Sequence, residues 1–275
     1  MRRFVLAVVT ATLAALITAP APAAARTAAP DPVRALQKQL KSERGVKLNE
    51  LVKLGFEKAT TRNRTKGGVQ LAPSGPVAAY ASAETATGET GTTEVLGFER
   101  HLYLGGEDLA KLLPRGKQWV GAEAVKEARP LLPILAATQQ PINVFDPAVL
   151  KATLKGERPQ RVSGGYLYEG VVTYKELYEA AKSYYGAHFD GVPKTEFGKR
   201  TIDYRLWTDG AGLIKRLRTS ENQSFSAIVD TRYTDWGHLL VITPPAEDEV
   251  FPFEDLEDLE IPEPGLLKDG LLGLR

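Results

Sequence analysis

Residues 201–243 alternate apolar and polar side chains in one run after another, and the connections between runs are only a few residues long. In 201–208, Ile202, Tyr204 and Leu206 share one face. Asp209-Gly210-Ala211-Gly212 is a hairpin-turn signal, and 213–219 reads as the returning strand. Residues 224–233 alternate again, with Phe225, Ala227, Val229 and Tyr233 on one face. Thr234-Asp235-Trp236-Gly237 reads as the next turn, and 239–243 as a further strand that Pro244-Pro245 ends. Parallel strands need a crossover of a dozen residues or more, so connections this short dictate an antiparallel meander. Its apolar face must then be covered by another layer.

The rest of the chain supplies that layer and a second β-rich region. Residues 32–41 have helical spacing, with Val33, Leu36 and Leu40 on one face, Asp31 as N-cap and Gly45 as the stop. From 46 to 83 the pattern turns to short β-like runs: 46–48, 51–56, and 69–83 with a break at Pro73-Ser74-Gly75-Pro76. Residues 85–93 read as a turn, 93–104 as one strand closed by Gly105-Gly106, 114–117 as a turn and 118–120 as a short strand. Residues 123–137 are helix-compatible, although Pro130 and Pro133 must kink or break them. Asp146 is placed to cap a helix over 147–154, with Pro147 at its favoured first position. Residues 165–172 read as a strand. Thr173 and Glu176 form a capping box for an amphipathic helix that aligns Leu177, Ala180, Ala181 and Tyr184. Two β-rich regions therefore flank a central helical stretch, and no internal repeat is visible. The expected fold is α+β: one curved antiparallel sheet whose concave face is covered by the central helices.

The N-terminus carries an export signal. Arg2 and Arg3 precede an apolar run from 4 to 17, and Ala23, Ala24 and Ala25 supply a small-residue cleavage site. The run is shorter than the ~20 residues of a membrane-spanning helix. Residues 1–25 are thus read as a signal peptide cleaved near Ala25, by an export route the paired arginines leave open, and the mature protein as secreted. Residues 26–30 read as a flexible linker, 31–250 as a single domain, and 251–275 as an acidic, flexible tail. The 275 residues carry a net charge of +1, which gives no bulk attraction to nucleic acid. There is no cysteine, which excludes disulfides, thiol catalysis, cysteine metal sites and lipid attachment behind the signal.

Catalytic patterns are not legible. His101, His188 and His238 have no metal-ligand spacing, and no nucleophile elbow, P-loop or dinucleotide fingerprint is present. Asp209 and Asp235 sit in turn sequences, where the side chain bonds the local backbone. No catalytic residue, metal or cofactor is expected. Trp119, Trp207 and Trp236 fit either a ligand cavity or core packing. Lys215, Arg216 and Arg218 form a basic cluster that fits either anionic headgroups or a solvated strand face.

Several motifs resemble a known family. Trp207-Thr208-Asp209-Gly210-Ala211-Gly212-Leu213, then Arg216-Leu217-Arg218, Tyr233-Thr234-Asp235-Trp236-Gly237, Val241-Ile242-Thr243-Pro244-Pro245 and Glu249-Val250 look like those of actinobacterial exported proteins with the LolA/LppX-like fold. The resemblance covers 31–250. It implies a half-barrel of antiparallel strands wrapped around helices and enclosing a hydrophobic cavity. Members are similar to lipoprotein carriers, to lipid and lipoglycan carriers of the mycobacterial envelope, and to envelope-stress sensors. Mycobacterial-type members carry a lipidated cysteine after the signal, which this chain lacks. The expected function is binding of a lipid or other hydrophobic small molecule between sheet and helices. The alternative is a cell-envelope sensor that docks a protein partner. The sequence leaves open which strand face lines the cavity. The larger apolar set is assigned to it, so the candidate ligand-binding residues are Leu132, Leu135, Ile202, Tyr204, Leu206, Leu217 and Val229.

Overall fold

The computed structural model describes residues 29–56, 59–85, 92–189, 191–222 and 226–258. The expected signal peptide lies outside them, as do residues 26–28 of the expected linker and all of the tail beyond 258.

One N-terminal meander contains β1 (Arg44–Phe56), β2 (Ala59–Ala72), β3 (Gly75–Thr85), β4 (Thr92–Phe98), β5 (His101–Gly105) and β6 (Trp119–Glu123). A second contains β7 (Gln160–Val162), β8 (Gly165–Thr173), β9 (Thr201–Thr208), β10 (Ile214–Asn222) and β11 (Ser226–Leu239). The first and last of these long strands, β1 and β11, pair antiparallel and zip the two meanders into one sheet. A final short strand, β12 (Val250–Pro252), lies parallel to β6. The result is a single open 12-stranded sheet in the order β12-β6-β5-β4-β3-β2-β1-β11-β10-β9-β8-β7. This is the expected α+β architecture, a mostly antiparallel sheet with helices on one face.

The cover consists of short pieces: α1 (Pro32–Gln37), α3 (Leu132–Leu135), α4 (Pro147–Thr153), α5 (Tyr174–Ala180), α6 (Lys182–His188) and α7 (Thr195–Gly198). A further helix, α2 (Glu107–Leu112), links β5 to β6. Local chemistry sets the helix starts. The Asp31 carboxylate accepts from the Val33 amide, and Asp146 Oδ1 from the Ala148 and Val149 amides. Thr173 and Glu176 complete their reciprocal capping box. The long connection from β6 to β7 crosses the inner sheet face as α3, residues 138–146 and α4. It contributes Leu132, Ile134, Ile142, Val144, Phe145, Val149 and Leu150 to the core.

Several sequence expectations are corrected. Residues 93–104 are a hairpin, β4 and β5, turning at Glu99-Arg100. Gly45 does not end a helix but lies inside β1, which is one strand across both predicted runs. The helix at 123–137 survives only as the four residues of α3, because Pro130 and Pro133 cannot supply interior amides. The helix after Thr173 breaks at Ala181 (φ −145°, ψ 73°) into α5 and α6. Thr234-Asp235-Trp236-Gly237 does not reverse the chain. Gly45 pairs with His238 but Lys47 with Thr234, so β11 carries extra residues there as a bulge. Asp235 (φ 54°) and Gly237 (φ 77°) take the left-handed conformations that the bulge requires. Residues 240–243 consequently form no strand. They cross the strand ends, with the Leu240 amide donating to Glu43 O and the Ile242 amide to Gln70 Oε1. The fold also continues past the expected boundary at 250 through β12 and a 3₁₀ segment, Phe253–Asp258. At the other end, the carbonyl of Pro30 in the expected linker accepts from the Tyr168 hydroxyl.

Candidate functional site

The inner face of the sheet can be read row by row from the strand register. One row runs Tyr168, Leu206, Leu217, Thr231, Glu50 across β8, β9, β10, β11 and β1. The next runs Tyr204, Thr219, Val229, Val52 across β9 to β1. Five of the seven candidate residues stand on this face: Ile202, Tyr204 and Leu206 on β9, Leu217 on β10 and Val229 on β11. All five are buried. Leu132, on α3, is also buried. Leu135, also on α3, is 40% exposed. Leu206 and Leu217 are direct cross-strand partners, whereas Leu132 sits over β3 and β4 at the other end of the sheet.

α3 lies close to the strands because Gly97 of β4 has no side chain. A Cβ there would overlap the Leu132 carbonyl oxygen and lie 2.5 Å from the Ala136 Cβ. The sheet and its cover are in direct contact, so the candidate residues fill space with one another and with the cover.

Sequence reasoning missed a polar clasp in the middle of this apolar interface. Glu50 is 1% exposed and faces inward between Leu48 and Val52. Its carboxylate accepts from the Thr138 hydroxyl, from the Thr231 hydroxyl at 2.6 Å, and from the Gln139 amide at 2.8 Å. Gln140 fills the neighbouring position. Its Nε2 donates to Thr231 Oγ1 at 2.8 Å, to the Leu217 carbonyl at 3.1 Å and to the Val229 carbonyl at 3.2 Å. Its Oε1 accepts from the Thr219 hydroxyl at 2.9 Å. Residues 138–140 of the cover are thereby pinned to three adjacent strands. On the other side, the Asn143 amide donates to the Tyr185 hydroxyl, which itself donates to the Pro141 carbonyl.

Electrostatically, burial pushes the Glu50 carboxyl above the usual carboxylate range, against the opposing pull of its three hydrogen bonds. No cation pairs with it among the described residues. Burial, with a smaller contribution from Glu50, raises the Tyr233 phenol, whose hydroxyl has no hydrogen-bond partner. A readable signal did exist. Glu50, Thr219 and Thr231 stand in phase with apolar neighbours, and a charged residue in phase with a buried face needs a partner.

Two aspartates and two tryptophans weighed in the sequence have structural roles. Asp209 Oδ1 accepts from the Ala211 and Leu213 amides, which is turn chemistry. Asp235 pairs with Lys47 at 2.8 Å. Trp236 anchors the bulge, donating to the Ile214 carbonyl at 2.7 Å and packing near Phe145 and Tyr233. Trp207 lies on the outer face under Arg216, whose guanidinium is 4.7 Å from the ring centre. Among the described residues no group of three or more His, Cys, Asp or Glu is placed to hold a metal ion, and no helix is long and apolar enough to cross a membrane.

The described residues form open clefts, of which two bear on the site. One of about 580 Å3 separates the 126–130 turn from α6, with Lys126, Pro130, Lys182 and Gly186 in its walls. The other, of about 530 Å3, lies on the outer face of β8, β9 and β10, beside Glu169, Arg205 and Arg218. Tyr204 is the one candidate residue that contributes to either.

No family model matches the chain, and no curated protein matches it. Solved structures with a similar fold include LprF from Mycobacterium bovis, with 15% identity, a TM-score of 0.39, and 79% of this chain and 99% of that chain covered. A LolA superfamily protein from Nitrosomonas europaea is similar at 9% identity and a TM-score of 0.28, covering 77% of this chain and 94% of that chain. A DUF1329 family protein from Desulfovibrio piger is similar at 8% identity and a TM-score of 0.25, covering 74% and 92% respectively.

Proposed function

We propose that the protein is an exported binding protein that holds a lipid or another hydrophobic small molecule between the inner face of its sheet and the helical cover. One observation carries this reading: a wide apolar sheet face is roofed by helices of four to seven residues. A roof of short pieces can part along its joints without unfolding any long element. The cleft between the 126–130 turn and α6 is one such joint. Its volume lies within the ~300–1,000 Å3 of ordinary small-molecule sites.

In the closed form Ile202, Leu206, Leu217 and Val229 are covered by protein. A ligand therefore enters by displacing cover, exchanging one apolar contact for another. Its affinity derives from apolar area removed from water, at about 25 cal/mol per Å2, less the area the cover gives up. The inner face supplies apolar burial and a few hydrogen-bonding groups, and the reading assigns it no bond-making step.

The test is native mass spectrometry of the mature protein purified from its own secreting cells, followed by organic extraction and by titration with a pyrene-labelled fatty acid. A stoichiometric extracted lipid, or saturable uptake of the probe, is expected. Protein that is empty and takes up no probe would overturn the reading and leave docking of an envelope partner as the alternative.

A further inference from the structure

The outer face of the sheet carries a charge pattern that folding alone does not call for. In register, one row reads Trp207, Arg216, Arg232, Asn49, Lys66 across β9, β10, β11, β1 and β2. The next reads Arg205, Arg218, Asp230, Leu51, Arg64, and the third Asp203, Ser220, Ile228, Lys53, Arg62. Arg205 faces Arg218, and Arg216 faces Arg232, as directly opposed cross-strand neighbours. Like charges so placed destabilise a sheet.

Some of these cations are neutralised locally. Arg205 pairs with Glu169 at 2.6 Å, Arg216 forms a bidentate pair with Asp230, and Lys47 pairs with Asp235. Lys53, Arg62, Arg64, Lys66, Arg218 and Arg232 have no ion-pair partner among the described residues. Five of these six are exposed and Lys53 is half-buried. In a chain of net charge +1, the cations of these three rows outnumber the carboxylates that share the face, which are Asp203, Asp230, Glu169 beside Arg205, and Glu84 opposite Arg64 on β3.

The shape of the array selects the partner. Five neighbouring strands at about 4.8 Å spacing make the patch about 19 Å wide, and its three rows extend it along the strands. Cations spread in two dimensions match a plane of negative charge better than a single polymer strand. The same face also offers half-buried Leu51, Ile228 and Trp207. Apolar and aromatic groups among Lys and Arg suit the headgroup region of a bilayer. We propose that the outer face of β2, β1, β11, β10 and β9 docks this protein reversibly onto an anionic phospholipid bilayer. The proposal is independent of the inner-face ligand: it concerns the opposite side of the sheet.

The experiment is co-sedimentation of the mature protein with vesicles of phosphatidylglycerol and phosphatidylcholine, against vesicles of phosphatidylcholine alone, at low and high salt. Binding to the anionic vesicles only, lost at high salt, is expected. At about fivefold per Lys or Arg near an anionic surface, Arg64→Gln/Lys66→Gln/Arg232→Gln lowers partitioning about a hundredfold. Lys111→Gln/Lys175→Gln/Lys199→Gln, at exposed lysines away from this face and from both clefts, leaves it unchanged. Circular dichroism and uptake of the pyrene-labelled fatty acid check that the first variant is folded and that its inner face is intact. Equal binding to neutral vesicles, no binding to anionic ones, or undiminished binding by the first variant overturns the proposal. So does capture of a soluble polyanion such as heparin without any vesicle binding.

Discussion

Thr231→Val removes one hydroxyl from the centre of the clasp while keeping side-chain volume. Thr231 is fully buried. Its hydroxyl donates to Glu50 and accepts from Gln140 Nε2. Gln140 Nε2 keeps the Leu217 and Val229 carbonyls, so the loss falls on Glu50. A neutral hydrogen bond contributes about 1 kcal/mol and one to a charged group about 1.5–3 kcal/mol. The cost therefore depends on the protonation of Glu50, and the sign can be worked out. The folded-state carboxyl titrates above its ordinary value, so the folded protein binds the proton more tightly than the unfolded chain. Below the ordinary carboxylate range Glu50 is protonated in both states, and its linkage costs nothing. As pH rises from about 4.5 toward the raised folded value, the unfolded chain ionises first and stability falls. Loss of a donor raises the folded value further, so the fall runs deeper in the variant. The expected penalty is about 1 kcal/mol at low pH, growing to about 2–3 kcal/mol once Glu50 is ionised. Urea unfolding across this pH range, read by tryptophan fluorescence, measures it, because Trp236 packs against Tyr233 and Phe145. Thr219→Val, which removes a neutral bond to Gln140, serves as the control, with a penalty that does not vary with pH. A Thr231→Val penalty that is flat with pH, or below about 0.5 kcal/mol throughout, would refute the view of Glu50 as a hydrogen-bonded acid at the heart of the interface.

Two further substitutions probe how the cover is seated. Gly97→Ala places a methyl group against the Leu132 carbonyl and Ala136 and should cost about 1–3 kcal/mol, as overpacking does. Unchanged urea stability would mean that α3 does not rest on β4. Asp146→Ala leaves the Ala148 and Val149 amides uncapped. A loss of about 1 kcal/mol, or about 2–4 °C in Tm for a domain of this size, is expected, with Asp146→Asn retaining most of the stability. Equal losses for the two Asp146 variants would show that capping is not what the side chain does.

The features that could be read in advance are those made by neighbours in sequence. Asp31, Asp146 and the Thr173–Glu176 box cap helices through amides two or three residues away. The alternation at 201–208 appears intact as β9, with Ile202, Tyr204 and Leu206 buried and Asp203 and Arg205 exposed. Asp209 closes its turn within four residues. Reading failed where the partner is distant. The polar run Arg62-Asn63-Arg64-Thr65-Lys66 has little strand signal of its own, yet it forms β2, since β1 and β3 supply hydrogen-bond partners on both sides. The Asp235-Trp236-Gly237 turn signal was accurate about local backbone conformation and wrong about chain direction, because a bulge and a turn use the same left-handed residues.

The sequence by itself determined the class of the fold: short connections force antiparallel pairing, and one apolar face per strand forces a covering layer. It also determined where the capped helices begin and that no thiol chemistry is available. Only the tertiary structure decided which strands meet. β1 and β11 are joined across most of the chain, and that pairing places Glu50 beside Thr231 inside and Asn49 beside Arg232 outside. Both the clasp and the cationic face are products of register. Periodicity assigns a residue to a face of its own strand, but its neighbours on that face are set by pairing energies summed along the entire strand.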